Sequence, residues 1–218
     1  MIFIATGPAY SWSTVPAAES VRRHNPDLPI ILYTDEKVRS PAFTAVEAID
    51  NPHRRSKVDY LWRSPFARTL YLDSDTRVVA DIGEMFDILE KFDLAVAHVR
   101  NRHFEKRLLN WKIDVPRSFP QHNCGVLLYR TTPKVVDFLK AWQIAYAEAG
   151  FSPDQITFRE LLWASELRYY VLPPEYNMRD YHVCDRLFRR GPPVRIWHLE
   201  KWQPHKSMAA RLKRRAGF

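Results

Sequence analysis

Glycine and cysteine are scarce in this chain of 218 residues, which has six glycines and only two cysteines, Cys124 and Cys184. Two cysteines supply no disulfide framework and favour a reducing, cytosolic setting. The shortage of glycine, set against 16 prolines, leaves turns to Pro, Asp and Asn. It also leaves no phosphate-loop signature, and zinc-spaced cysteines and a Gly-x-Ser-x-Gly elbow are missing too. No apolar run approaches the length that spans a bilayer. The opening Met1-Ile2-Phe3-Ile4-Ala5-Thr6 lacks a basic n-region and is too short for a signal peptide, so it reads as a buried first strand. No repeat, low-complexity tract or linker divides the chain.

What is present is an ordinary globular composition, 46% hydrophobic and 27% charged, on a length suited to one α/β domain. The formal net charge of +8 is unevenly spread. From Arg186 onward ten basic residues face one acid, Glu200, which leaves 23 basic and 24 acidic residues in the rest of the chain. A neutral body thus carries a basic tail, taken here as residues 203–218 after a domain over 1–202. Such a tail seeks phosphate, on an anionic membrane surface, a nucleic acid or an anionic glycolipid. A solvated terminal helix that aids solubility accounts for it equally well.

Apolar runs alternate with helix-period segments, which predicts an α/β fold with a mostly parallel sheet covered on both faces. Predicted strands cover 1–6, 29–34, 43–49, 68–73, 93–99 and 124–130, with shorter ones near 169–172 and 194–198. Predicted helices cover 10–24, 55–63, 82–91, 133–149 and 153–167. Thr132-Pro133 and Ser152-Pro153 each place a hydroxyl before a proline at a first helical position. Asp81-Ile82-Gly83-Glu84 has capping-box spacing. Residues 100–122 show no clean period and read as a loop with some helix, of a length that is usually functional.

The chemistry concentrates in Arg68-Thr69-Leu70-Tyr71-Leu72-Asp73-Ser74-Asp75-Thr76-Arg77-Val78-Val79. A β-type run ends in two acids one residue apart, and a second β-type run follows. Ligands of parallel sheets collect beyond the carboxyl ends of the strands. Two carboxylates there can hold a hard divalent cation that bridges a diphosphate. An Asp-x-Asp pair alone is common, and a polar turn capped by Asp73 explains it too.

Further pieces follow in a recognisable order. Asn123-Cys124-Gly125-Val126-Leu127-Leu128, Pro153-Asp154-Gln155, Leu172-Pro173 with Asn177, and Ile196-Trp197-His198 join the strand-end acids. From residue 1 to about 202, the chain resembles the retaining glycosyltransferases of family 8. That resemblance implies a single GT-A (Rossmann-like) domain acting on a nucleotide-sugar.

The resemblance implies that Asp73, Asp75 and His198 ligate a metal, manganese or magnesium, with Ser74 between the acids at the donor. Imidazole with two carboxylates suits manganese better than calcium. It implies that Asn123 and Gly125 approach the donor sugar, although a plain turn before a strand reads the same. It implies that Asp154 bonds the sugar hydroxyls and Gln155 lies beside the anomeric carbon, where helix capping is the alternative. Asn177 falls near the acceptor side. Thr6, Gly7 and Tyr10 occupy the family's nucleobase position. The usual acid after the first strand is absent, which leaves uridine or another base open. Lys57 stands where a family lysine reaches the donor, or is a solvated helix lysine. After His198 the family's Gly-then-Lys is replaced by Leu199-Glu200-Lys201-Trp202, so Lys201 or Lys206 meets the diphosphate. Trp111, Trp163 and Trp202 are expected in the core, with stacking on sugar faces as the alternative.

The implied reaction is a metal-dependent, retaining transfer from a nucleotide-diphosphate sugar, a UDP-sugar in the family pattern, to a hydroxyl of a glycan or glycolipid. The implied location is cytoplasmic, peripheral to a membrane where the tail engages one. Two alternatives stand beside it. One is a transferase acting on nucleic-acid bases, with the tail and Arg100 to Lys112 as its electrostatic footprint. The other is a non-catalytic nucleotide-sugar or membrane-binding module.

Overall fold

The computed structural model describes residues 1–99, 105, 108–150, 153–179 and 193–199. Lys201, Trp202, Lys206, Cys184, Ser152, Arg100 and the basic tail over 203–218 lie outside the described residues. The described chain forms an α/β fold with a central, mostly parallel sheet of seven strands flanked by helices. It divides into two compact units.

The first unit comprises Met1–Pro52, Leu72–Ile82 and the chain from Glu175 onward. Strands β1 (Ile2–Ala5), β2 (Ile31–Thr34) and β3 (Ala45–Ala48) run parallel in the order β3-β2-β1. The first two strands are buried at every residue, which is why they read as unbroken apolar runs rather than alternating ones. Helix α1 (Pro8–His24) turns Ser11, Thr14, Ala17, Ala18, Ser20 and Val21 inward. These small side chains allow close approach, and their hydroxyls are bonded. Thr34 Oγ1 donates to Ser11 Oγ at 2.7 Å, and Ser20 Oγ accepts from Val78 N at 2.9 Å. A two-stranded ribbon, β5 (Thr76–Val78) antiparallel to β9 (Ile196–His198), completes the unit.

The second unit comprises His53–Tyr71 and Gly83–Pro174. Strand β4 spans Arg68–Leu72, β6 Leu94–His98, β7 His122–Arg130 and β8 Tyr169–Leu172, in the order β4-β7-β6-β8. Strand β7 is antiparallel to β6, and β8 is parallel to it. The helices are α2 (Lys57–Tyr60), α3 (Pro133–Ala149) and α4 (Asp154–Ala164). The last two bury Trp142 and Phe158, whose rings meet edge to face at 4.8 Å.

Several sequence expectations are corrected. The segment expected as a helix over 82–91 is a 3-10 helix, Gly83–Glu90. Thr132 occupies the cap position of α3 with Pro133 at its start, yet its hydroxyl makes no cap bond. Helix α4 starts at Asp154, one residue later than expected, with Pro153 as its cap. Strand β7 begins at His122, two residues before the expected 124, so Asn123 lies inside the strand and the alternative of a turn there falls away. Trp163 is 46% exposed instead of buried, and Trp111 is half-buried with the Lys112 ammonium 4.1 Å from its ring centre. Among the described residues no helix is long and apolar enough to cross a membrane.

Candidate functional site

In the first unit, β5 begins one residue after Asp75, and its antiparallel register sets Thr76 opposite His198. The late imidazole therefore arrives beside the strand-end acids although 123 positions separate it from Asp75 in the chain. Backbone bonds fix the approach. Leu199 N donates to Asp75 O at 3.2 Å, Val79 N to Arg195 O at 2.9 Å, and His198 N to Met178 O at 2.8 Å.

The side chains converge. His198 Nε2 lies 3.1 Å from Asp75 Oδ1 and 3.8 Å from Asp73 Oδ2. One ligand atom from each of the three residues lies within 4.8 Å of the others. His198 and Asp75 are buried, while Asp73 is partly open. On its other edge His198 Nδ1 is 2.8 Å from Asn177 Oδ1. Asn177 Oδ1 accepts at Nδ1, which leaves Nε2 as the ring nitrogen that faces the carboxylates. That donor set, one imidazole nitrogen and two carboxylate oxygens, fits a divalent cation. A histidine that binds a metal ordinarily donates its other ring N–H to an oxygen acceptor, and Asn177 Oδ1 stands in that position here.

Near the start of this unit, Thr6 and Tyr10 are half-buried. Gly7 has φ of +76°, with nothing within 4 Å of where a Cβ would stand, so the backbone turn rather than space requires glycine. Its N–H donates to Asp35 Oδ1 at 2.8 Å. Sequence reading found no acid after β1, yet the fold brings one from the end of β2. The signal was available only as an acid directly after a second buried strand.

The second unit assembles another polar group. Opposite Val96 and Ala97 of β6 the register of β7 jumps from Leu127 to Asn123, so Cys124 to Val126 bulge out of that ladder. Within the bulge Asn123 Oδ1 accepts Gly125 N at 2.9 Å. Lys57 Nζ donates to Cys124 O at 3.4 Å and lies 3.2 Å from Asp154 Oδ2. Arg55 Nε adds a contact to Asp154 Oδ1 at 3.7 Å. One buried lysine thus joins Asn123-Cys124-Gly125 to Asp154 and excludes the solvated reading of Lys57. Burial works to raise the Asp154 carboxyl, but the Lys57 ammonium and Arg55 guanidinium outweigh it and hold the group below the ordinary carboxylate range. Gln155, next in the helix, is half-buried. Gly125 is not among the glycines with positive φ, Gly7 and Gly150, so no strained turn requires it. The structure therefore brings together Asp73, Asp75 and His198, and separately Lys57, Asn123, Gly125 and Asp154. Ser74 is half-buried between the two acids.

No protein-family model and no curated protein sequence matches the chain. Solved structures do. The galactosyltransferase LgtC, solved with donor and acceptor sugar analogues, superposes with a TM-score of 0.60 at 17% identity over 99% of this chain and 94% of its own. Mouse xyloside xylosyltransferase 1 gives 0.61 at 14% identity over 93% and 98%. GlyE of Streptococcus pneumoniae TIGR4 gives 0.60 at 19% identity over 90% of this chain but 53% of its own, so this chain spans about half of GlyE. The fold is that of the GT-A glycosyltransferases. At these identities the likeness concerns architecture, and the chemistry rests on the residues above.

Proposed function

We propose that this protein is a metal-dependent glycosyltransferase that moves a sugar from a nucleotide-diphosphate donor, a UDP-sugar, to a hydroxyl of a glycan or glycolipid with retention of configuration. The observation that carries this reading is the convergence of the Asp73 and Asp75 carboxylates with Nε2 of His198, whose other ring edge meets Asn177. A manganese or magnesium ion held there would draw negative charge from the departing diphosphate.

The remaining roles fall to the chain's own side chains. Asp154 stays ionised through its Lys57 and Arg55 contacts, so it accepts hydrogen bonds from sugar hydroxyls. The same neutralisation makes it a weak base and a weak nucleophile near neutral pH. The acceptor oxygen then bonds to the anomeric carbon on the face from which the diphosphate oxygen leaves, and the acceptor proton passes to that leaving oxygen. Asn123 orients the sugar, Gln155 lies beside the anomeric carbon, and Gly125 lets the backbone approach. Thr6, Gly7 and Tyr10, with Asp35 at their flank, receive the base. Lys201 or Lys206 completes the neutralisation of the diphosphate. Positioning and charge supply the rate enhancement, without a dedicated strong base. Membrane-surface or nucleic-acid contact through the basic tail, and a cytoplasmic location, belong to the same proposal.

Calorimetric titration of UDP in the presence and absence of manganese, followed by assay of free UDP from UDP-sugars, tests it. Asp75→Ala is expected to abolish metal-dependent UDP binding and turnover while the circular dichroism spectrum stays unchanged. Undiminished donor hydrolysis by that variant at low metal would end the assignment.

A further inference from the structure

Between Leu108 and Gln121 the described chain forms neither helix nor strand, so its backbone N–H and C=O groups need partners from elsewhere. Two consecutive residues of α4 supply them. The Glu160 carboxylate accepts from the backbone N–H of Trp111, from Lys112 at 3.0 and 3.1 Å, and from Ile113 at 3.1 Å. The Arg159 guanidinium donates to Phe119 O at 2.6 Å, Val115 O at 2.9 Å and Pro116 O at 3.0 Å. It also reaches Leu109 O at 3.3 Å, Leu108 O at 3.4 Å and Asn110 Oδ1 at 2.6 Å. Both side chains are buried, Arg159 completely. A buried charge is a poor source of stability compared with an apolar side chain, and a fully satisfied network holds one geometry.

That geometry is tied to the residues that read as donor-sugar contacts. Phe119, gripped by Arg159, stands four residues before Asn123, and Arg159 stands five residues after Asp154. At the other end Lys57 links Cys124 O to Asp154. The segment 119–124 and the helix segment 154–159 are therefore cross-linked by two rungs, with Asn123 and Gln155 between them. Gln121 lies in the same stretch, 1% exposed, and neither atom of its amide has a hydrogen-bond partner among the described residues. Such an unmatched polar group suits ligand or water rather than packing alone.

We propose that Arg159 and Glu160 are positioning residues for sugar transfer. By fastening loop 108–119 to α4 they hold Asn123 at a fixed separation from Asp154. The inference rests on the reading of Asn123 and Asp154 given under the proposed function.

The test uses the full chain with Arg159→Lys, Glu160→Gln and the milder Asn110→Ala. Hydrogen exchange over 108–119, manganese-dependent UDP affinity, and kcat and KM for UDP-glucose and UDP-galactose hydrolysis are measured for each. Glu160→Gln is expected to speed exchange at residues 111–113, leave UDP affinity within about twofold, and lower kcat about tenfold or more. Combined with Asn123→Ala, the two losses are expected to overlap rather than multiply, because both act through the placement of Asn123. A freed loop with full kcat, or losses that multiply completely, would overturn the inference. Should Arg159→Lys fail to fold, Glu160→Gln and Asn110→Ala decide by the same criteria. Absence of metal-dependent turnover in the unmodified protein would instead overturn the functional reading beneath it.

Discussion

At the residue scale, the sites depend on partners that neighbours in sequence do not announce. In the proposed site His198 serves as a ligand, and Asn177, 21 positions earlier, meets the other edge of its ring. Asn177→Ala should weaken manganese binding by about 10–100-fold while leaving the melting temperature near that of the unmodified protein. Calorimetric titration with manganese checks this. Asp154 gives a second prediction, with a definite sign. Its folded pKa lies below the ordinary 3.8, so its contribution to stability is complete above 3.8 and is lost as pH falls toward the folded value. In Lys57→Met, burial is opposed only by Arg55 and a backbone hydrogen bond, and the folded pKa rises. The variant should lose about 3 kcal/mol at neutral pH and begin acid unfolding at higher pH, as urea melts from pH 7 to 3 would reveal.

At the element scale, strands were more legible than the segments between them. An unbroken apolar run such as Leu70-Tyr71-Leu72 announces a doubly covered strand by itself. The 3-10 helix Gly83–Glu90 read as α because the capping signal from Asp81 to Glu84 marks where a helix starts without fixing its pitch. Residues 108–121 could not be read, since their order comes from Arg159 and Glu160 on another element, and charged side chains are rarely fully buried. The start of β7 carries its own test. His122 is buried against Phe119, Phe158 and Tyr169 and stacked on His98. Burial, then His98, then Arg159, push its pKa down to about 4 from 6.5. Below pH 6.5 the unfolded chain takes up a proton that the folded one refuses, so stability falls as pH drops from 6.5 to about 4. His122→Phe should flatten that slope, raising the melting temperature at pH 5 with little change at pH 7.5.

At the scale of the whole molecule, a ligand that binds the folded state alone stabilises it by mass action. UDP with manganese at about 100 times its dissociation constant should add about 2.7 kcal/mol, a rise of roughly 5–11 °C in Tm that chelation by EDTA abolishes. No rise with any nucleotide would count against the proposed donor. The sequence by itself determined the fold class, the strand-end position of Asp73 and Asp75, and a helix opening within one residue of Asp154, because burial periodicity and local chain direction are written in adjacent residues. Only the tertiary structure decided that His198 meets the two acids through the β5–β9 ribbon, that Asp35 stands beside Gly7, and that Lys57 and Arg159 are buried cross-links. Such contacts join positions far apart in the chain, and a buried charge differs from a solvated one only in its surroundings, which no local pattern of residue types records.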